Sequence, residues 1–432
     1  MPDGDAADVL VELRELMMTG AGAGASMRVA HFSDTFLPRR DGIVTSLRTL
    51  IPELSAAGHP GLLVAPGRRR QSPEEVGLAL PSIPAGVAEM RLCPPRLRHV
   101  AAIAAWSPAL VHVHTPGTVG LLGALVARRL GLPMVATYHT DLHAYADAYR
   151  IPTCALRLML RGYARRLAVE CPPAERREEI IDAVNTLLYG AADTLVVPTE
   201  AILHRTPWLS RHPRVVVAPN GVAPLEVPAG AGEEFRARWG IPARAPLVLF
   251  VGRVGPEKGV DLLAQAFGEV LKTVPDAWLV MVGAVYRPRW LRRVLANAGV
   301  AHRAVTTGQQ PPSVVGAAYA GAQVFGFPSL TDTQALVLHE AALAGVPSVV
   351  VDPVLHEASP LRHDMVLAQP TPAAMGSAIA ALLLDPGAAR ARGASARRRA
   401  VDLHPRRQSD LMLSLYRDAW SRACQAPVPT GR

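Results

Sequence analysis

Two stretches of the chain concentrate residue types able to handle a charged, hydroxyl-rich ligand. The first is VLFVGRVGPEKGVDLLAQAF, residues 248–267. An apolar run that reads as a buried strand ends at Gly252, Arg253 follows, and Lys258 stands five residues further on, where a helix opens. An arginine and a lysine beside a helix N-terminus describe a diphosphate site. The free N–H groups and macrodipole of the first turn favour anions, and the two side chains add fixed positive charge. Pro256 sits where a first-turn proline is tolerated, and Gly259 permits a close backbone approach. The structural alternative is Lys258 paired with Glu257 or Asp261 on a solvated helix end. The second stretch is PSLTDTQALVLHEAALAGVPSVV, residues 328–350, with Asp332 at the start of a helix and Glu340 eight positions on. Asp332 alone suits a helix N-cap. Glu340 is flanked by Leu336, Leu338, Ala341, Ala342 and Leu343, and a buried carboxylate there needs partners. The sugar hydroxyls of a bound nucleotide would serve.

Such residues must be positioned by a scaffold, and the chain alternates short apolar runs with helical stretches. MRVAHFS, GLLVAP, LVHVHT, MVATYHT and TLVVPT read as strands, with TSLRTLIPELSAAG and GLLGALVARRLG among the intervening helices. A second series begins near Arg214 with RVVVAP, PLVLFVGR, AWLVMVGA, AVTTG, VFGFPS and PSVVVD as its strands. Near-continuous apolar strands between helices imply parallel sheets covered on both faces. At 432 residues the chain exceeds one ordinary core, so two domains are expected, divided in the Pro/Gly-rich PNGVAPLEVPAGAGEE. The expected organisation is a loose extension over 1–26, a first domain over 27–217, a second over 218–404, and a C-terminal helix and tail over 405–432. Open parallel sheets bind ligands at the carboxyl ends of their strands, which is where the unusual residues stand.

Half the residues are apolar and only 19% are charged, a globular composition. No run is long enough to span a membrane as a helix. The first residues carry Asp3, Asp5 and Asp8 where a secretory signal needs positive charge. Four scattered cysteines without C-x-x-C spacing argue against metal or redox use and for a reducing cytoplasm. The net charge of +9 has no helix-turn-helix, zinc-finger or stacking motif beside it, so no nucleic-acid partner is expected. Its arginines cluster at Arg68–Arg70, Arg161/Arg165/Arg166, Arg287/Arg289/Arg292/Arg293 and Arg397–Arg399. Phosphate-bearing ligands or an anionic membrane surface suit that pattern.

The order R-x4-K after a strand, then a carboxylate, seven residues, and Glu before A-x-x-x-G-x-P resembles the family-4 retaining glycosyltransferases. The opening MRVAHFSDTFLPRRDGIVTSLRTLIPELSAAGH resembles the same family. HVHTPGTVGLLGALVARRLGLPMVATYHTDLHAYADAY is similar to its subgroup of bacterial α-mannosyltransferases and diacylglycerol α-glucosyltransferases. The resemblance covers about residues 27 to 425. It implies the α/β GT-B fold, two Rossmann-like domains facing across a cleft, with the C-terminal helix crossing back to the first. It implies a nucleotide-sugar donor as co-substrate (GDP-mannose or a UDP-hexose), no bound cofactor, no required metal, and a lipid or small-molecule hydroxyl as acceptor. Arg253 and Lys258 would bind and stabilise the leaving diphosphate, Glu340 would hold the ribose, and Asp332 the hexose, with Thr333 and Gln334 in the same donor-binding turn. His139, in TYHT, matches an active-site histidine beside the sugar, and Gly42 a position whose amide approaches the phosphates. Four departures stand out: Asp332 replaces the usual Glu, and Gln334-Ala335 replaces Phe-Gly. Val282-Gly283 runs into AVYRPRW in place of G-D-G-P, and the first loop has one glycine where two are common.

IPTCALRLMLRGYARRLA, residues 151–168, places Arg157, Arg161 and Arg165 along one side and Leu156, Leu160, Tyr163 and Leu167 along another. A basic amphipathic helix can lie on an anionic membrane, which makes peripheral contact with the inner face an expectation beside that of a core-packed helix with a solvated arginine face. The competing functional class is a catalytically silent scaffold that keeps the fold. A phosphorylase or epimerase is disfavoured by the layout.

Overall fold

The strand and helix patterns resolve into two compact units, one running to Pro219 and taking in the residues from Pro405 onward, the other Asn220–His404. The computed structural model describes residues 26–37, 39, 41–67, 77–85, 91–139, 141–148 and 150–425. The expected N-terminal extension, apart from Ser26, and the arginines at 68–70 lie outside the described residues.

In the first unit the strands are β1 (Val29–Phe32), β2 (Gly61–Pro66), β3 (Leu78–Leu80), the two-stranded pair β4 (Ile83–Pro84) and β5 (Arg91–Leu92), β6 (Leu110–Val113), β7 (Met134–Thr137), β8 (Thr194–Val197) and β9 (Val215–Val217). Seven of them form one sheet in the order β3-β2-β1-β6-β7-β8-β9, every pair parallel. The run RVVVAP, expected to open the second series, instead closes this first sheet against β8. Its three valines pair with Leu195, Val196 and Val197 before the chain reaches the Pro/Gly-rich boundary. Strands β1, β6, β7 and β8 are buried throughout, because helices cover both faces. The C-terminal helix Pro405–Gln425 belongs to this unit. Its Met412, Leu413, Leu415 and Tyr416 share one core cluster with Val29, Leu110, Val135 and Val196.

The second unit holds β10 (Leu247–Val251), β11 (Trp278–Val282), β12 (Ala304–Gly308), β13 (Val324–Phe327), β14 (Ser348–Val350) and β15 (Val366–Leu367). Their order is β12-β11-β10-β13-β14-β15, all parallel. The two-residue period of a strand decides its core: Val248 and Phe250 pack on one side, Leu247, Leu249 and Val251 on the other. In each sheet the strand order reverses beside a central strand, between β1 and β6 in the first and between β10 and β13 in the second. Those switch points are where open parallel sheets leave a crevice at the strands' carboxyl ends.

Candidate active site

At the switch point of the second sheet, glycines bring three loops together. Gly252 and Gly283 end β10 and β11 with φ of +145° and +151°, and a Cβ on Gly283 would stand 1.8 Å from the Gly252 carbonyl oxygen. The ends of these two strands therefore touch where Arg253 leaves the sheet, so Gly283 is required even without the G-D-G-P sequence around it. Pro256–Lys258 forms a tight 3-10 turn, and the helix proper, Val260–Thr273, starts after Gly259. Pro256 is thus the first residue of that turn and not of the long helix. Gly259 takes a left-handed φ of +67°, and a Cβ there would meet the Pro328 carbonyl oxygen at 2.5 Å. The loop after β13 consequently lies against the turn carrying Lys258, and Thr331 Oγ1 donates to the Glu257 carbonyl at 3.1 Å across it.

This contact gives Lys258 a partner other than the two the sequence suggested. Its Nζ donates to Asp332 Oδ1 at 2.5 Å, both side chains being largely withdrawn from water. Arg253 Nε lies 3.8 Å from Glu257 Oε1. Burial pushes the Asp332 pKa up, but the Lys258 ammonium, a Ser329 hydrogen bond and Arg253 outweigh it and hold the carboxyl below its ordinary value. Asp332 is not at the helix start: the helix is Leu336–Leu343, preceded by Ala335 with no side-chain cap. Ala335 adopts φ +56°. The left-handed conformation that the usual glycine takes freely is therefore kept by an alanine at a cost of roughly 1–2 kcal/mol. Half-buried Thr333 follows Asp332 in this loop. Gln334 is buried and occupied: its Oε1 accepts from the Asn220 backbone N–H at 2.9 Å and from Asn220 Nδ2 at 2.6 Å, while Nε2 donates to the Asn220 carbonyl at 3.0 Å. Its side chain is thus spent on tying the turn to the start of this unit.

On the Leu336–Leu343 helix, Glu340 Oε2 accepts from the Tyr319 hydroxyl at 3.1 Å. Burial raises the Glu340 pKa and this hydrogen bond partly offsets it, while burial and the neighbouring carboxylate push the Tyr319 phenol well up. Tyr319, on the helix Pro312–Gly321, was not found from sequence, because one tyrosine in GAAYAG carries no chemical signature by itself.

In the first unit the candidate residues stand after β1 and β7. Asp41 caps the helix Gly42–Ala56, accepting from Val44 N–H at 3.0 Å. Its other oxygen receives Thr35 Oγ1 at 3.1 Å and Arg39 Nε at 2.8 Å. Gly42 is the exposed first residue of that helix. Half-buried His139 follows β7, with Nε2 3.3 Å from His114 Nδ1. Burial lowers its pKa to about 4, against an opposing pull from the Asp41 carboxylate. Asp34, unremarked in the sequence, is the hub of the loop after β1. It accepts from Thr115 Oγ1 at 2.6 Å, Val119 N–H at 2.8 Å, Gly120 N–H at 3.2 Å and Thr118 Oγ1 at 3.3 Å. It thereby caps the helix Thr118–Leu130, which has no side-chain cap of its own.

Residues 40–224 match the family Glycosyltransferase Family 4, and residues 232–399 match Glycosyl transferases group 1. Over 339 residues the chain is 30% identical to a GDP-mannose-dependent alpha-mannosyltransferase of Mycolicibacterium smegmatis, covering 76% of this chain and 80% of the relative. The chain belongs to the family-4 glycosyltransferases. This glycosyltransferase is also 25% identical, over 332 residues, to the alpha-monoglucosyldiacylglycerol synthase of Streptococcus pneumoniae, covering 75% of the chain and 70% of the relative. Its fold is shared with a sucrose-phosphate synthase of Thermosynechococcus elongatus, with a TM-score of 0.68 at 22% identity over 92% of this chain and 100% of that one. The GT-B class expected from the sequence therefore stands.

The arginine-bearing helix of the glycosyltransferase spans Thr153–Leu167. Leu156, Leu160, Tyr163 and Leu167 join the core, and the Tyr163 hydroxyl donates to the Pro116 carbonyl at 3.0 Å. Arg157, Arg161 and Arg165 are exposed, as is Leu158. The helix thus has a core-packed face together with a basic, partly apolar outer face. No single helix among the described residues is long and apolar enough to cross a membrane.

Proposed function

We propose that this glycosyltransferase moves a hexose from a nucleotide-diphosphate sugar, GDP-mannose or a UDP-hexose, to a hydroxyl of a lipid or small molecule. The transfer retains anomeric configuration and needs no divalent metal. The observation that carries the donor half is the pairing, at the switch point of the second sheet, of Arg253 and Lys258 with the uncapped N-terminus of the Val260–Thr273 helix. Two fixed cations and free amides neutralise a diphosphate in the way a metal otherwise would. The nucleotide leaves, the acceptor hydroxyl attacks the anomeric carbon on the face it vacates, and the hydroxyl proton passes to the departing phosphate. Electrostatic stabilisation of that leaving group supplies most of the rate enhancement.

In this reading Asp332 exchanges part of its bond to Lys258 for a hexose hydroxyl, Glu340 holds the ribose, Thr333 and Gln334 shape the turn, and His139 and the Gly42 amide serve the sugar and phosphates. The relatives named for GDP-mannose and for monoglucosyldiacylglycerol support the donor and acceptor classes. The outer arginines of the Thr153–Leu167 helix support peripheral contact with an anionic membrane on the cytoplasmic side. The test is thermal stability against a panel of nucleotide diphosphates, since a ligand bound only by the native state raises the midpoint by mass action. It is combined with donor hydrolysis in the presence and absence of EDTA. GDP or UDP raising the midpoint, with hydrolysis unaffected by EDTA, is the expected result. Activity lost to the chelator and restored by manganese or magnesium overturns metal independence, and a protein that neither binds nor hydrolyses any donor is the silent scaffold.

A further inference from the structure

Strands β1 and β6 and the loops after β6 and β7 gather histidines that the transfer reaction described above leaves largely unused. His31 lies on β1, His112 on β6, and His114 and His139 follow β6 and β7. His31 Nδ1 is 3.1 Å from His114 Nε2, and His114 Nδ1 is 3.3 Å from His139 Nε2. The three imidazoles form a chain, ring nitrogen to ring nitrogen. His112 stands beside it and holds it in place, its Nδ1 2.7 Å from the Tyr416 hydroxyl and its Nε2 2.7 Å from Thr137 Oγ1. Its ring lies over His114 with centroids 3.8 Å apart.

A neutral imidazole has one N–H and one lone pair, so a chain of them donates in a single direction. One end selects it. At the inner end, His31 Nε2 is buried with no hydrogen-bond partner among the described residues. It sits against Gly61, where an added Cβ would stand 3.4 Å from it and 2.8 Å from Ile51 Cγ2. Buried N–H groups without acceptors are rare in folded proteins, so this nitrogen carries the lone pair and Nδ1 the proton. His31 Nδ1–H therefore donates to His114 Nε2, and His114 Nδ1–H donates to His139 Nε2. Burial holds all of these rings neutral, His31 down to about 3 and His114 well below its ordinary value.

We propose that His114, backed by His31, is a positioning residue that fixes His139 as its Nδ1–H tautomer, so that His139 meets the transferring hexose as a hydrogen-bond donor and not as a base. The proposal rests on the reading above that His139 serves the sugar. A metal site is the rival account, because donor nitrogens of His31, His112 and His114 lie within 4.8 Å of one another. The chain explains more. Both nitrogens of His112 are already bonded to hydroxyls, and no carboxylate in the group would balance a dication in that core.

The test is a long-range proton–nitrogen correlation spectrum of the full-length enzyme labelled with [15N]histidine at pH 7.5, which reports the tautomer of each neutral ring. His31, His114 and His139 in the wild type are all expected as Nδ1–H. In His114→Phe the His139 signal moves toward a mixture with the Nε2–H form. In His114→Asn, whose side-chain amide can take the place of Nδ1–H, it returns. With a fixed donor and acceptor, His114→Phe lowers kcat by roughly ten- to a hundredfold while KM for the donor changes by less than about threefold, and His114→Asn recovers most of the loss. An Nε2–H His139 in the wild type overturns the proposal. So does zinc at one equivalent that survives dialysis against chelator, because a metal requires bare nitrogens where the chain has protons. An Nδ1–H His139 combined with full activity in His139→Ala overturns the catalytic use of the chain by removing the role of His139, while the chain itself stands.

Discussion

Arg253 and Lys258 announce themselves in the sequence because a cation directly after a buried strand has few structural reasons to be there. What the sequence hides is the company they keep. The Lys258 partner is Asp332, 74 residues away, chosen by the close approach of Gly259 to Pro328 and not by helix spacing. This matters for mutants. In the proposed mechanism Lys258→Ala removes a contact to the leaving group, and it also takes from Asp332, withdrawn from water, its ammonium partner. Arg253→Ala and Lys258→Ala are each expected to slow transfer by roughly two to three powers of ten, the scale of one lost transition-state charge contact. Near-wild-type rates in both would end the diphosphate assignment. Glu340 keeps its carboxylate through the Tyr319 hydroxyl, so Glu340→Gln preserves shape while losing charge. A hydrogen bond to a charged group contributes about 1.5–3 kcal/mol, so donor affinity should weaken by about ten- to a hundredfold. A 2′,3′-dideoxy donor, already lacking the contact, should lose far less. Equal weakening of both donors with a sharply lowered Tm would show that Glu340 holds the fold instead. Tyr319 and the inner histidines escaped the sequence reading for one reason: a polar residue inside an apolar run reads as another core position until its partner is seen.

Secondary-structure elements were legible wherever an apolar or β-branched run was long enough to show as a strand, as for β1, β2, β6 to β8 and β10 to β14. The unread strands β3, β4, β5 and β15 have two or three residues, too few to show a period. The misplacement of β9 has a different cause. RVVVAP looks like any other buried strand, and only its pairing with β8 assigns it to the first sheet. The helix Thr118–Leu130 was visible from its apolar repeat and its Gly131 stop, but its start was not, because the cap comes from Asp34 on another loop. That arrangement makes a prediction about the element. Asp34→Ala leaves the Val119 and Gly120 amides and two threonine hydroxyls without their acceptor. It should destabilise the first unit by about 2–3 kcal/mol, the sum expected from a lost N-cap and unsatisfied buried donors. Asp34→Asn retains one acceptor oxygen and should cost about half as much. Urea unfolding of the three proteins measures this, and an Asp34→Ala midpoint equal to wild type would mean that the loop caps nothing.

At the scale of the whole molecule, both units place their unusual residues at the strand ends beside a switch in strand order, but their electrostatics differ. The second unit sets cations against carboxylates and buries one neutral histidine, His339, whereas the first buries a group of them. That contrast fixes how the protein responds to acid. His31 and His139 are held at about 3 and about 4, and His112 and His114 well below their ordinary value, all chiefly by burial. Above the unfolded-state pKa of about 6.5 these rings are neutral in both states, and the fold has its full stability. As pH falls below that value the unfolded chain binds protons that the folded rings refuse. Each histidine then removes stability at up to about 1.4 kcal/mol per pH unit until its folded pKa is reached. Asp34 and Glu340, whose pKa values burial raises, work in the opposite sense, because the folded state takes up their protons first. The loss should therefore steepen as pH falls below about 6.5, and the carboxyls reduce the slope where the folded state takes up their protons. Amide hydrogen exchange in β1 and β6, corrected for the intrinsic rate at each pH, reads the opening free energy of the first unit separately from the second. Opening should become easier between pH 7 and 5, and His31→Phe should reduce the pH slope by about one proton while leaving the slope for β10 and β13 unchanged. A first unit equally stable across that range would mean that the folded histidines accept protons, and the neutral chain ending at His139 would go with it.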